Sequence, residues 1–380
     1  LRPYQMEGFN WLRFCWYNQR NSILADEMGL GKTVQIVTAL NDLAINENIT
    51  GPFLVVAPLS TLPHWKMEFE RWTDLNVVVY HGNQISRDLI RQTEFVVVNE
   101  SGVPLKNRVQ FDVLITNPDT MAIDMNTFLK IQWRYVVLDE AHKFKNPKGK
   151  LYQKMEELQF EHCVMLTGTP IQNRIEELWG LLHFLYPSKF NDLDEFKRKY
   201  DNPTSSKQVE EIQEIIKPII LRRRKANVEK AILPKEETII DVQLTKQQKA
   251  FYKALISKNA EFLLREITGG ALPALQNLMM QLRKVCNHPY LIKGAEQSIL
   301  REMKDEYKNS GKSLEEIEML AMIESSGKMI LIDKLLPKLR ADHHKVLIFS
   351  QMVRVLDIIQ DYLIYKDYPN ERIDGSKSDK

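Results

Sequence analysis

The sequence predicts an α/β protein built on parallel, doubly wound sheets. Three observations lead there. Short β-branched runs alternate with helical stretches through the first half of the chain. The runs are mostly apolar throughout, as expected of strands covered on both faces. The first run feeds a glycine-rich turn that opens a helix, the usual start of an alternating strand–helix unit.

The strand candidates, in order, are Ile23–Ala25, Phe53–Ala57, Val77–Tyr80, Phe95–Val98, Val113–Thr116, Tyr135–Leu138 and Val164–Leu166. Helical patterns fall between several of them. Val34–Ala44 carries Ile36, Val37, Leu40 and Leu43 at helical spacing. After about residue 185 the alternation fades. Residues 191–233 are charged and mostly helical in character, broken at Asn202-Pro203, and hold the basic cluster Arg222-Arg223-Arg224-Lys225. Thr238–Leu244 is a further strand candidate. Residues 245–294 read as long helices interrupted at Gly269-Gly270, and 297–326 as a polar, exposed helical excursion. Val346–Phe349 repeats the apolar-strand signature and precedes a helix through about Tyr362. The expected organisation is a first α/β domain over 1–190, a helical extension and linker over 191–234, and a second, incomplete α/β domain over 235–380.

Composition narrows the function classes. With 380 residues, 44% of them hydrophobic, the chain can bury a sizeable core. A net charge of +2 means that any basic surface is local. Cys15, Cys163 and Cys286 are odd in number and lack a CxxC pair, so a reduced intracellular protein is expected. Cys286-Asn287-His288 lacks the further ligands that a zinc site needs. No signal peptide opens the chain, and no apolar run reaches the roughly 18 residues of a membrane span. Leu1 and the polar "SKSDK" ending give both ends the look of cuts from something longer.

The chemistry concentrates in two motifs. In "ILADEMGLGKTVQIV", Gly29, Leu30 and Gly31 form a tight turn before Lys32 and Thr33. A helix start presents unpaired N–H groups and roughly +0.5 charge, and glycines let backbone wrap a phosphate. Lys32 can reach β and γ phosphates, and Thr33 can place its hydroxyl on Mg²⁺. The strict G-x-x-x-x-G-K-[ST] pattern fails at its first position, which is Asp26. The alternative is a glycine-rich turn with a surface lysine. In "YVVLDEAH", an apolar strand ends at Asp139-Glu140. Carboxylates at such a strand end face the ligand crevice of an open sheet. Asp139 suits Mg²⁺, and Glu140 suits the attacking water. The alternative is an acidic helix N-terminus. Together the motifs point to a nucleoside triphosphate with Mg²⁺.

Five segments carry a family resemblance: "LRPYQMEGFNWL" (1–12), "DEMGLGKT" (26–33), "DEAH" (139–142), "LTGTPIQN" (166–173) and "KVLIFSQM" (345–352). In this order and spacing the chain resembles the ATPase motor of the Swi/Snf-type branch of superfamily 2 helicases. "NSILADEMGLGKT", "GPFLVVAPLSTLPHW", "LNVVVYHG" and "RKVCNHPYLI" most resemble the chromodomain-helicase-DNA-binding remodellers, with their third subgroup favoured. The resemblance implies two RecA-like lobes. It also implies an ATP-hydrolysing motor that translocates on double-stranded DNA and slides nucleosomes, with histones as partners, no membrane and a nuclear location. Asp26 is what this branch carries at that position.

By motif, the resemblance gives Gln5 the adenine edge, and gives Asp26, Gly29, Leu30, Gly31, Lys32 and Thr33 the nucleotide. Thr33 and Asp139 take the metal, and Glu140 takes the water. His142, Thr167, Gly168 and Thr169 become relays between nucleotide and DNA. Pro58, Leu59, Ser60, Thr61, Ser350 and Gln351 touch DNA phosphates. Such contacts position a strand without reading its sequence.

Two departures qualify this. Thr116-Asn117-Pro118-Asp119 stands where relatives show Thr-Thr-aromatic-Glu, and proline lacks a donor for DNA. The family's transition-state arginine falls beyond Asp374-Gly375, so these residues are expected to bind ATP and hydrolyse it poorly. The basic cluster at 222–225 is either a solvated helix face paired with Glu229 or a hinge contacting DNA or the partner lobe. Trp65 and Trp72, seven apart, are read as core-facing helix residues rather than base-stacking platforms. A strand-separating helicase and a catalytically silent nucleotide-dependent scaffold are the rival functions.

Overall fold

The β-branched runs of the first 234 residues assemble into one seven-stranded sheet in the order β3-β4-β2-β5-β6-β1-β7. Every pairing is parallel. The strands are β1 (Ser22–Leu24), β2 (Phe53–Val56), β3 (Val77–Tyr80), β4 (Val113–Thr116), β5 (Trp133–Leu138), β6 (Phe160–Leu166) and β7 (Ile220–Leu221). This computed structural model describes residues 1–96, 108–144, 149–168, 175–200, 206–229, 235–258, 272–308 and 310–374. The chain divides into two compact units, Leu1–Pro234 and Lys235–Lys380.

The apolar-throughout strands have a direct cause. Successive side chains point to opposite faces, and both faces here are covered. Leu54, Val56, Leu114, Val136, Leu138 and Met165 enter one core. Phe53, Val55, Ile115, Val137, Val164 and Leu166 enter the other. The second core is closed by α1 (Pro3–Tyr17), α2 (Lys32–Asn46) and α3 (Leu62–Trp72) through Leu12, Ile36, Leu40, Trp65 and Phe69. Between β3 and β5 the chain forms α4 (Gln84–Glu94), α5 (Pro118–Ile123) and α6 (Met125–Phe128). After β5 come α7 (Lys150–Glu156), α8 (Ile175–Leu185), α9 (Leu193–Tyr200), α10 (Ser206–Ile216) and α11 (Lys225–Val228). Residues of α8 and α9, such as Trp179, Leu182 and Phe196, pack into the first core.

One expected strand of this unit does not begin where it was expected among the described residues. α4 runs to Glu94, and Phe95 is its helical C-cap, so the helix takes the start of Phe95–Val98. Residues 97–98 lie outside the described residues. One strand is unforeseen: the two-residue β7 pairs with β1 and brings 191–229, expected as an extension and linker, into the first unit.

Among the described residues, the second unit is helical: α12 (Lys246–Lys258), then Leu272–Asn287, Ala295–Glu306, Leu314–Glu324, Gly327–Ala341 and Val353–Tyr365. Thr238–Leu244 and Val346–Phe349, expected as strands, form no ladder here. A strand exists only where a neighbour accepts and donates its backbone hydrogen bonds. Ile239, Leu347 and Phe349 are exposed accordingly. The stretch 297–326, expected as an exposed excursion, also buries a core of its own. Ile299, Met303, Ile317 and Ala321 pack together while the charged residues keep the outer faces. The break expected at Gly269-Gly270 lies outside the described residues.

Candidate nucleotide-binding site

The site forms where three neighbouring strands end. β1, β6 and β5 are adjacent, with Leu24 level with Leu166 and Leu138 level with Met165. Their next residues therefore emerge side by side: Ala25-Asp26 from β1, Thr167-Gly168 from β6 and Asp139-Glu140 from β5.

The loop after β1 follows the glycine pattern. Gly29 and Gly31 have φ of +85° and +78°, backbone that a side chain rarely tolerates. A Cβ on Gly31 would stand 2.4 Å from Gln5 Nε2. Gly31 is the N-cap of α2, and no side chain caps that end. Lys32 Nζ donates to Asp26 O at 2.9 Å. Burial lowers the Lys32 pKa, against the pull of the nearby Asp139, Glu140 and Asp26 carboxylates. Three acids and one half-buried ammonium thus share a small volume. Thr33 sits half-buried in the first turn of α2.

Asp26 explains the broken glycine pattern. Its carboxylate is fully buried and is gripped by Arg223, just beyond β7. Arg223 N and Nε donate to Asp26 Oδ1, both at 3.0 Å, and Nη2 donates to Oδ2 at 2.5 Å. Nη2 also donates to Gln35 Oε1 at 2.7 Å, and Nη1 donates to Tyr4 O. The two segments are joined along their backbones too: Ala25 N to Leu221 O at 2.7 Å and Glu27 N to Arg223 O at 3.0 Å. The glycine is replaced by an anchor.

This corrects the reading of the basic cluster as a solvated face paired with Glu229. Arg223 points inward, Arg222 and Arg224 are exposed, and Glu229 pairs with Arg2. Arg223 was missed because its partner lies 197 positions away.

α1 closes the loop from the other side. Gln5 Nε2 donates to Leu30 O at 3.2 Å, and Gln5 Oε1 accepts from Arg2 N at 2.9 Å. Gly8, on the same helix face, is required by crowding. A Cβ there would stand 1.8 Å from Gln35 Oε1.

On β5, burial raises the Asp139 pKa above the usual carboxylate value, and two donors oppose the shift. Trp65 Nε1 donates to Asp139 Oδ2 at 3.0 Å, and Glu140 N donates to Oδ1 at 2.9 Å. Trp65 is thus a core residue, as its spacing suggested, and also a support for Asp139. Trp72 is 40% exposed, contrary to that expectation, because it ends α3 beyond the edge of the core. Glu140 has φ of +49°, a strained backbone for a non-glycine residue. His142 Nδ1 lies 3.1 Å from Glu140 Oε2. Thr167 N donates to Leu24 O at 3.2 Å. Gly168 faces the loop directly: a Cβ there would meet Met28 Cγ at 2.6 Å. Thr169 lies outside the described residues.

Pro58, Leu59, Ser60 and Thr61 follow β2, where Leu59–Thr61 makes a single 3₁₀ turn with Leu59 and Ser60 exposed. Ser350 and Gln351 belong to the second unit, where Met352 N donates to Ser350 Oγ and Gln351 Oε1 accepts from Arg283. Pro118 occupies the first position of α5, where the missing N–H removes no helical hydrogen bond. His288, beside Cys286, is no metal ligand here. Nε2 pairs with Met322 O at 2.9 Å, and Nδ1 accepts from Tyr290 N at 3.1 Å. Among the described residues no group of acids, histidines and cysteines is arranged to hold a metal on its own, so a cation here would need oxygens from its ligand. No described helix is long and apolar enough to cross a membrane.

The SNF2-related domain model matches residues 4–291, which span every element of this site. The chain belongs to the SNF2-related domain family. This SNF2-related chain is 51% identical over 375 residues to mouse chromodomain-helicase-DNA-binding protein 9 and to human chromodomain-helicase-DNA-binding protein 7. It is 50% identical to human chromodomain-helicase-DNA-binding protein 6. In each case 99% of this chain is covered, but only 12–14% of the relative. The chain therefore spans about an eighth of the length of these curated relatives. Among solved structures it resembles the Sulfolobus solfataricus SWI2/SNF2 ATPase core in complex with dsDNA, at 30% identity and a TM-score of 0.54. That match covers 96% of this chain and 70% of the other. The resemblance inferred from the motifs is met.

Proposed function

We propose that this chain is the ATP-dependent motor of a chromatin remodeller, which translocates on double-stranded DNA and thereby moves nucleosomes in the nucleus. The observation that carries the reading is the half-buried Lys32 ammonium among Asp26, Asp139 and Glu140, at the ends of neighbouring strands. Two glycines without Cβ atoms and an uncapped α2 N-terminus complete a seat suited to a triphosphate. The names of the relatives, and a neighbour solved on double-stranded DNA, support the DNA side of the reading.

In this reading the loop N–H groups and Lys32 hold the β and γ phosphates, and Gln5 holds the base. Thr33 and Asp139 hold Mg²⁺, which when bound neutralises charge building on the phosphates. Glu140 accepts a hydrogen bond from the attacking water and orients it. Its strained backbone and its His142 contact fix that carboxylate. Gly168 against Met28 gives the end of β6 a contact through which loop position can be relayed. Residues 58–61, 350 and 351 are the proposed phosphate contacts to DNA. The first lobe is assigned to 1–190, the extension and linker to 191–234, and the second lobe to 235–380.

The test is Glu140→Gln in the remodeller motor with double-stranded DNA present. Nucleotide binding is expected to stay within about 3-fold while DNA-stimulated hydrolysis falls about 10²–10⁴-fold. DNA affinity should fall steeply with salt and show little sequence preference. Hydrolysis at the normal rate would remove Glu140 from its role. Strand release without movement along the duplex would favour a helicase.

A further inference from the structure

The nucleotide reading leaves one cation beside the loop without a role. Lys225 opens α11 two residues after the Arg223 grip. Its backbone N–H donates to Glu27 Oε2 at 2.7 Å, which fixes the start of its side chain against the loop. The side chain then lies over Gly29: a Cβ built there would stand 3.1 Å from Lys225 Nζ and 3.3 Å from Cε. Among the described residues this ammonium has no ion-pair partner. It is also close enough to Lys32 to act on it as a like charge. Two ammonium groups therefore approach one short loop, Lys225 at Gly29 and Lys32 at the Asp26 carbonyl. Their mutual repulsion is relieved by an anion placed between them.

We propose that Lys225 is a second cationic contact to the phosphate chain of the bound nucleotide, meeting it at Gly29 while Lys32 meets it beyond Gly31. The proposal rests on the nucleotide reading above and adds a residue to it. The Arg223–Asp26 grip sets the position, because it ties the backbone carrying Lys225 to the backbone carrying Gly29. The charge requirement is specific. A side chain that only covered Gly29 would need length and no cation.

The experiment titrates Mg·ATP and Mg·ADP into the 380-residue chain over a range of salt concentrations. It compares the wild-type chain with Lys225→Gln, Lys225→Arg and Lys32→Gln. Lys225→Gln keeps the backbone bond to Glu27 and is expected to weaken both nucleotides about 10-fold, the size of one charge-assisted hydrogen bond. It should also flatten the salt dependence, since one screened attraction is gone. Lys225→Arg should stay within about 3-fold of the wild type. Wild-type affinity in Lys225→Gln overturns the proposal. So does an equal loss in the Gln and Arg variants with an unchanged salt dependence, which would make Lys225 a packing residue. The nucleotide reading itself falls on different results: no Mg·ATP uptake by the wild type, or full uptake by Lys32→Gln.

Discussion

Asp139 shows how one side chain is held in a usable state. Burial pushes its pKa up, and a carboxylate that takes a proton too easily is a poor magnesium ligand. The Trp65 indole opposes this by donating at 3.0 Å. Trp65→Phe keeps an aromatic ring in the core and removes the donor. The Asp139 pKa then moves further up, so the protonated fraction grows fastest as pH falls. Mg²⁺-dependent nucleotide affinity is expected to fall below that of the wild type by up to about 5- to 10-fold, in line with one lost hydrogen bond to a charged group, and by more at pH 5.5 than near neutrality. Magnesium titrations at fixed ATP and two pH values check this, and a loss independent of pH contradicts it. The strand-end position of Asp139 was legible in the sequence because the acid pair directly follows an apolar run. The Trp65 contact was not, because it joins positions 74 apart. Helical spacing could place that ring in the core but could not give its N–H a partner.

At the scale of elements, β7 decides how the glycine-rich loop after β1 is braced. Only two residues long, it pairs with β1 and delivers Arg223 onto a carboxylate with no exposure to solvent. Truncating the arginine leaves that charge buried and unpaired, which typically costs about 3–5 kcal/mol. Arg223→Ala is therefore expected to lower the unfolding free energy by that amount. Arg223→Lys should fall between, because it keeps the charge but loses the planar fork. Urea unfolding curves of the two variants against the wild type measure it, and a change under about 1 kcal/mol for Arg223→Ala would show that Asp26 finds solvent instead. The strand–helix alternation of this unit was readable because each run is apolar on both faces. β7 was not, since Ile220-Leu221 is too short for any periodicity. The second unit shows the opposite error. Val346–Phe349 has the composition of a strand, but composition supplies no neighbour, and Phe349 is 89% exposed.

At the scale of the whole molecule, each unit buries one histidine, His162 at 2% exposure and His288 at 1%. Burial lowers both to about 4, from a value of 6.5 without the fold. Between those limits the unfolded chain binds the proton and the folded chain does not, so stability rises with pH. Each contribution is complete above pH 6.5, shrinks as pH falls toward 4, and amounts to about 3 kcal/mol when fully lost. The two units can be followed separately. All six tryptophans, residues 11, 16, 65, 72, 133 and 179, belong to the first unit. Tryptophan fluorescence during urea unfolding therefore reports that unit alone. His162 packs against Trp16 and Tyr135, and its Nε2 has no hydrogen-bond partner, so Phe fits its surroundings. His162→Phe should hold the fluorescence-detected midpoint nearly constant from pH 6.5 to 4.5, where the wild-type midpoint drops. Hydrogen exchange in the helices around His288 should keep its wild-type acid sensitivity in the same variant. A midpoint that still falls as steeply in His162→Phe would assign the acid sensitivity of the first unit to its carboxylates instead.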